Sequence, residues 1–318
     1  MKRRDLLKTV SLILSVPFCM LSVYSAEQPD EISVADNLFN KSEFFKSREI
    51  YRKIRNIYAK SNQLGKWKYC TVQIIRCSRQ LADLSAATDE YFQYCKIVPI
   101  APLEFIPINW LTSSAFLPNT KPDPQVSFNI LRQSSISNLN PAVELLASTV
   151  LAASLDHSFR NIGLHHLRKL AAMQNDSESN NADNNNKSTA ESNKQTELMN
   201  NLSHNVMLIA DAVLWKERIP TLRNEKELVS MRRLLEKIPL QFRAGAFFLF
   251  GRAEAQVGLL EEAVISMMKI PIQYKEDTVL VLSSLLESAK LLDKLNRKKQ
   301  AEQLRNEAKE LRKSVTIQ

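Results

Sequence analysis

Residues 245–263 read GAFFLFGRAEAQVGLLEEA. Three small residues stand at fixed separations in this stretch: Gly251, then Gly258 seven places on, then Ala263 five places after that. Around them the apolar positions recur at helical spacing, with Phe247, Phe250 and Gly251 on one side and Ala263, Met267 and Ile270 on the other. Two antiparallel helices joined by a tight turn account for all three small residues. The first and third lie where the helices cross, and a bulky side chain there would hold the backbones apart. The middle one lies in the turn, where Gly or Asn enters the left-handed region at little cost.

The same spacing returns three more times, as Ala35–Ser42–Ser47, Ile75–Ala82–Ala87 and Ala289–Asn296–Ala301. Leu282, Leu285, Leu286, Ala289 and Leu292 form an apolar stripe, and Ala301, Leu304, Ala308 and Leu311 form its partner on the next segment. Such amphipathic pairs cannot bury their faces alone and must stack on neighbours. With only 5 glycines in 318 residues, the chain lacks the turn and phosphate-loop glycines that β-rich, Rossmann or P-loop folds require. A hydrophobic content of 44% is enough for a sizeable core. The expected class is all-α.

The repeated set resembles the tetratricopeptide repeat. That family places small residues at its eighth and twentieth positions, a Gly near the fifteenth and an aromatic near the twenty-fourth. Gly251, Gly258 and Ala263 match best, and Tyr51 and Tyr91 take the aromatic place in the first two copies. Ile75 is large for its place, Arg305 is charged where an aromatic is usual, and the last two copies are 38 rather than 34 residues apart. The resemblance covers residues 31–95 and 245–312. It implies helical hairpins stacked as an α-solenoid, with a concave groove lined by the first helix of each hairpin. The groove places implied are Arg252 and Ala255, Lys290 and Asp293, Arg76 and Arg79, and Asp36 and Phe39, with Lys294 nearby. Arg76, Arg79, Arg252, Lys290 and Lys294 are therefore the candidate partner-binding residues, suited to an acidic partner or a free peptide carboxylate because Arg offers paired donors to it.

The remaining segments read differently. Residues 1–26 form an expected signal peptide: Lys2, Arg3, Arg4 and Lys8 precede an apolar run from Val10 to Val23, with small residues at Ser25 and Ala26. The run is short of the roughly 20 residues a membrane span needs. Arg3-Arg4-Asp5-Leu6-Leu7-Lys8 is similar to a twin-arginine export motif, and a general secretion leader fits as well. The chain is thus expected in the periplasm or cell envelope. Helical hairpins are expected over 27–96, a Pro-rich packed segment over 97–125, a further hairpin over 126–173 and a disordered Asn/Ser-rich insert over 174–200. A C-terminal helical region follows over 201–318, with one helix expected at about 202–218.

Little catalytic chemistry is visible. There is no P-loop, GxSxG, HExxH or CxxC. His165 and His166 project about 100° apart on a helix and cannot easily share a metal. Cys70 and Cys77, seven apart on one predicted helix, lie about 10 Å from each other, beyond disulfide reach; Cys95 can meet one of them only if its helix folds back. The net charge of +9 owes three units to the leader, and the remaining cations are scattered along helices rather than clustered with aromatics as in a nucleic-acid reader. No cofactor, metal, nucleic acid or stable membrane span is expected. The function expected is a scaffold or adaptor that docks a protein or peptide. A cell-envelope enzyme with an unrecognised site, an accessory domain of such an enzyme, or a packing element of an envelope assembly are the alternatives.

Overall fold

The computed structural model describes residues 30–98, 103–107, 122–134, 140–173 and 190–316. The leader, residues 174–189 and most of the Pro-rich segment lie outside these. Among the described residues there are thirteen α-helices and no strand. They are α1 (Glu31–Asn40), α2 (Phe44–Lys60), α3 (Leu64–Gln80), α4 (Leu84–Ile97), α5 (Pro124–Ser134), α6 (Pro141–Ala152) and α7 (His157–Ala172). The C-terminal half adds α8 (Ala190–Arg218), α9 (Leu228–Lys237), α10 (Arg243–Gln256), α11 (Leu260–Gln273), α12 (Thr278–Lys294) and α13 (Lys298–Thr316). Most successive helices pack side by side, α1 through α4, α5 through α8 and α9 through α13.

The four small-residue sets fall where expected. Ala35, Ile75, Ala87, Ala263, Ala289 and Ala301 have no solvent exposure. Ser47 is equally buried, and its hydroxyl donates to the Ala35 carbonyl at 2.9 Å across the α1–α2 crossing. At the α10–α11 crossing a Cβ on Gly251 would lie 3.0 Å from the Ala263 carbonyl oxygen and 2.8 Å from Met267 Cγ. The four middle members, Ser42, Ala82, Gly258 and Asn296, have φ of 62°, 56°, 94° and 59°.

A fifth residue, Asn62, has φ 53° and reverses the chain between α2 and α3. The small-residue pattern misses it because its flanks at the same offsets are Arg55 and Trp67. All five turns share one hydrogen-bond scheme. The N–H after the left-handed residue donates to the carbonyl five places back, as in Glu43 to Leu38, Gln63 to Tyr58, Asp83 to Ser78, Leu259 to Glu254 and Arg297 to Leu292, at 2.8–3.1 Å. That bond satisfies a carbonyl the helix end would otherwise leave open.

The N-terminal stack is cross-braced by charge. Arg48, 7% exposed, donates to Asp83 at 2.8 Å and to Ser78 at 3.3 Å, while Asp83 caps α4 through the Ala86 N–H. Arg55 pairs with Glu90, so α2 is fastened to α4 across the edge of α3. Behind these, Tyr51, Ile54, Cys70, Ile74 and Cys77 make a small core, and one larger core runs from Ile75 on α3 to Ala308 on α13.

Three expectations are corrected. The segment 126–173 is not a hairpin alone, since α5 precedes α6 and α7 and starts inside the Pro-rich stretch. Proline ends helices but also starts them: Asp123 accepts from the Gln125 N–H at 2.8 Å with Pro124 in the first helical position, and Asn140 caps Ala142 ahead of Pro141 in the same way. The helix expected from about 202 begins at Ala190, so the last eleven residues of the Asn/Ser-rich stretch are helical. Ala190, Glu191, Lys194 and Gln195 are good helix formers, and Met199 and Leu202 attach the extension to the core. Leu155, which apolar spacing with Leu145, Leu146 and Leu151 puts on the first arm of that hairpin, lies instead in the turn and is 79% exposed. In the described part of the Pro-rich segment, Leu103 and Ile106 are buried in the larger core around a single 3-10 turn, Leu103–Phe105.

One close crossing was not signalled by the pattern. A Cβ on Gly163 would sit 2.3 Å from the Ala152 nitrogen and 2.6 Å from the Ser148 oxygen, both backbone atoms of α6. Gly163→Ala is expected to lower unfolding free energy by about 1–3 kcal/mol. Gly65→Ala, at a helical site with nothing within 4 Å, should be neutral or stabilising. Urea titration of both variants checks this; equal stabilities would show that α6 and α7 do not approach so closely.

Candidate functional site

The first and last stacks meet where α3 ends and α12 begins. Thr278, the first residue of α12, donates its hydroxyl to the Gln80 carbonyl at the end of α3, 2.9 Å away and 198 residues distant in sequence. Beside this contact Arg76 of α3 pairs with Glu276 at 3.2 Å and lies over the Phe39 ring at 5.0 Å. A cavity of about 610 Å³ opens at this junction. Its walls come from α3 (Arg76, Arg79), the 3-10 turn Leu103–Phe105 (Phe105), a second 3-10 turn, Leu240–Phe242, just before α10 (Leu240), the start of α10 (Ala244) and the loop Tyr274–Asp277.

The loop is held in place by its own chemistry. Asp277 caps α12 by accepting from the Leu280 N–H at 3.2 Å. Burial pushes its carboxyl up, and the Arg79 guanidinium opposes that shift. Burial likewise raises the Tyr274 phenol, whose ring leans on Phe247 with centroids 6.3 Å apart. Arg76 is thus engaged by Glu276, whereas Arg79 makes no side-chain hydrogen bond or ion pair among the described residues. Lys275 at the rim is exposed and equally without a pair, and Leu240, 65% exposed, presents apolar surface at the mouth. Cation and exposed hydrocarbon together suit an amphipathic acidic segment.

Of the five candidate residues, only Arg76 and Arg79 line this cavity. Lys290 is exposed on α12 and paired with Glu287 one turn away at 2.9 Å, and Lys294 is exposed near the end of the same helix. Asp293 pairs with Arg305 of α13. Arg252 is exposed on α10, where its charge acts on Lys216 of α8. Asp36 is held by two phenols, accepting from Tyr51 and from Tyr69, the latter at 2.7 Å. Sequence alignment on the crossing residues singled out Arg76 and Arg79; it had no signal for Phe105 or the Tyr274–Asp277 loop, which come from elsewhere in the chain.

Other titratable groups are placed structurally. Burial lifts the thiols of Cys70 and Cys77 to about 11 and that of Cys95 to about 12, which keeps all three protonated and free. His166 Nδ1 lies 2.9 Å from Glu144 Oε1, and the His165 and His166 rings stand perpendicular. Set against known proteins, the chain matches no protein-family model, no curated protein and no solved structure.

Lys216 is the most perturbed amine among the described residues. Burial takes its ammonium down to about 7, with Arg252 and Arg160 adding to the shift and Glu217 opposing it. An ordinary lysine titrates near 10.5. Between those values the unfolded chain binds more protons at this position than the folded chain, so its contribution to stability rises with pH across that window. Below about pH 7 the full desolvation penalty is present. Lys216→Met is therefore expected to raise the melting temperature at pH 7 and to lose most of that gain by pH 10.5. Equal gains at both pH values would show that the ammonium is not desolvated.

Proposed function

We propose that the chain is a non-catalytic, exported helical-repeat scaffold of the tetratricopeptide-like kind, and that it docks an acidic segment or peptide carboxylate in the junction cleft. The observation that carries this is Arg79, a guanidinium with no side-chain hydrogen bond or ion pair among the described residues, on the wall of a 610 Å³ cleft with hydrocarbon from Phe105, Leu240 and Ala244 beside it. Repeated hairpins with small crossing residues and left-handed turns support the stacked-repeat reading. The described thiols, all held protonated, support a role in binding rather than in nucleophilic chemistry. Among the described residues no helix is long and apolar enough to cross a membrane. The basic, apolar leader at residues 1–26 supports export to the periplasm or envelope.

Binding of this kind rests partly on unscreened charge and so weakens with salt. A set of fluorescein-labelled peptides with acidic C-termini, free or amidated, tests it by fluorescence anisotropy. Arg79→Glu is expected to weaken the best free-carboxylate peptide about tenfold or more, equivalent to 1.4 kcal/mol. Arg252→Glu, outside the cleft, should leave that affinity unchanged. Peptides that bind Arg79→Glu as tightly as the parent, or no binding in the whole set, would remove the junction as a docking site.

A further inference from the structure

A second cavity, of about 400 Å³, lies between α9, α10 and α11, in the C-terminal stack and apart from the junction cleft. Phe247, Phe250 and Glu254 present one face of α10 to it, at offsets of three and four. Glu254 is only 3% exposed, and its Oε2 is buried without a hydrogen-bond partner among the described residues. A buried carboxylate oxygen left open in this way costs folding free energy, because water no longer solvates it and nothing replaces the water. Burial pushes the carboxyl up, while the Ser266 hydroxyl, Arg232 and Lys269 draw it down and Glu262 adds to the rise.

The cations around it do not close that opening. Arg232 of α9 rests over the Phe250 ring at 5.7 Å, and Lys269 of α11 over the Phe247 ring at 4.6 Å. Neither has a carboxylate within ion-pair distance among the described residues. Arg243 is committed elsewhere: its guanidinium donates to the carbonyls of Ile238 and Glu236, at 2.5 and 2.6 Å, and so fastens the wall of the cavity. One acceptor and two donors therefore face a shared space, with two phenyl rings between them. The acidic and basic side chains lining the cavity are equal in number, so it favours a ligand without net charge but with separated charges.

We propose that this cavity binds a small zwitterion with an apolar side chain, a free α-amino acid or a dipeptide. Its ammonium sits on Glu254, its carboxylate between Arg232 and Lys269, and its side chain against Phe247 and Phe250. The volume lies in the range of small-molecule sites and is too small for an extended peptide, which separates this ligand from the segment assigned to the junction.

Calorimetric titration of the full chain with the dipeptide leucyl-phenylalanine, beside its N-acetylated and C-amidated forms, tests the assignment. Saturable binding is expected for the free dipeptide, and each cap should weaken it about tenfold or more. Glu254→Gln keeps the side-chain shape and should weaken the free dipeptide while leaving the N-acetylated form unchanged; Lys269→Met should do the same with respect to the C-amidated form. Absence of saturable heat up to about 10 mM dipeptide would overturn the proposal. So would binding indifferent to either cap, or an affinity untouched by Glu254→Gln. If Glu254→Gln does not fold, the two caps and Lys269→Met decide the matter without it.

Discussion

The chain can stack as it does because five reversals put one residue each into the left-handed region and repeat the same hydrogen bond behind it. A three-residue connection leaves little freedom in how the next helix departs, and small residues stand at most of the crossing places beneath it, with Ile75 and, around Asn62, Arg55 and Trp67 as the exceptions. For an L-residue this conformation costs roughly 1–2 kcal/mol. Ala82 accepts that cost in full burial, where the surrounding packing holds the turn. Gly258 avoids it. Ser42, Asn62 and Ala82 are spaced by twenty residues, and the regular spacing puts α2 between α1 and α3. From that placement follow the ion pairs of Arg48 and Arg55 with α4, since both point past the edge of α3 towards the next helix.

The junction between the first and last stacks has a different basis. Among the described residues a hydroxyl-to-carbonyl bond, one partly exposed ion pair and a capped loop join them at this contact. An ion pair of that exposure is worth about 0–1 kcal/mol. The larger core, continuous from α3 to α13 through the middle helices, holds the two ends in register, and the polar contacts set only the detail.

Charge kept away from water without a full partner marks the C-terminal half. Glu254 and Lys216 are both shifted by burial towards their neutral forms, in opposite directions on the pH scale. Hydrophobic residues of similar volume would stabilise these positions. Glu254 differs from Lys216 in facing a cavity with aromatic walls, which gives its open oxygen somewhere to act.

Periodicity and small-residue spacing by themselves determined the helical class, the crossing places Ala35, Gly251, Ala263 and Ala289, and four of the five left-handed turns. These are local properties: a helical face and a three-residue turn are written within about twenty consecutive residues. Proline and low-complexity composition misled at Pro124 and at Ala190, because a helix start and a core anchor each depend on a neighbour, Asp123 in one case and the packing of Met199 and Leu202 in the other. The tertiary structure alone decided that Gly163 meets the backbone of α6, that Arg76 and Arg79 face the Tyr274–Asp277 loop while Arg252 and Lys290 do not, and that one carboxylate oxygen of Glu254 is buried without a hydrogen-bond partner among the described residues. Each of these depends on atoms brought together from distant parts of the chain, and no periodicity along the sequence encodes which distant helix a side chain will meet.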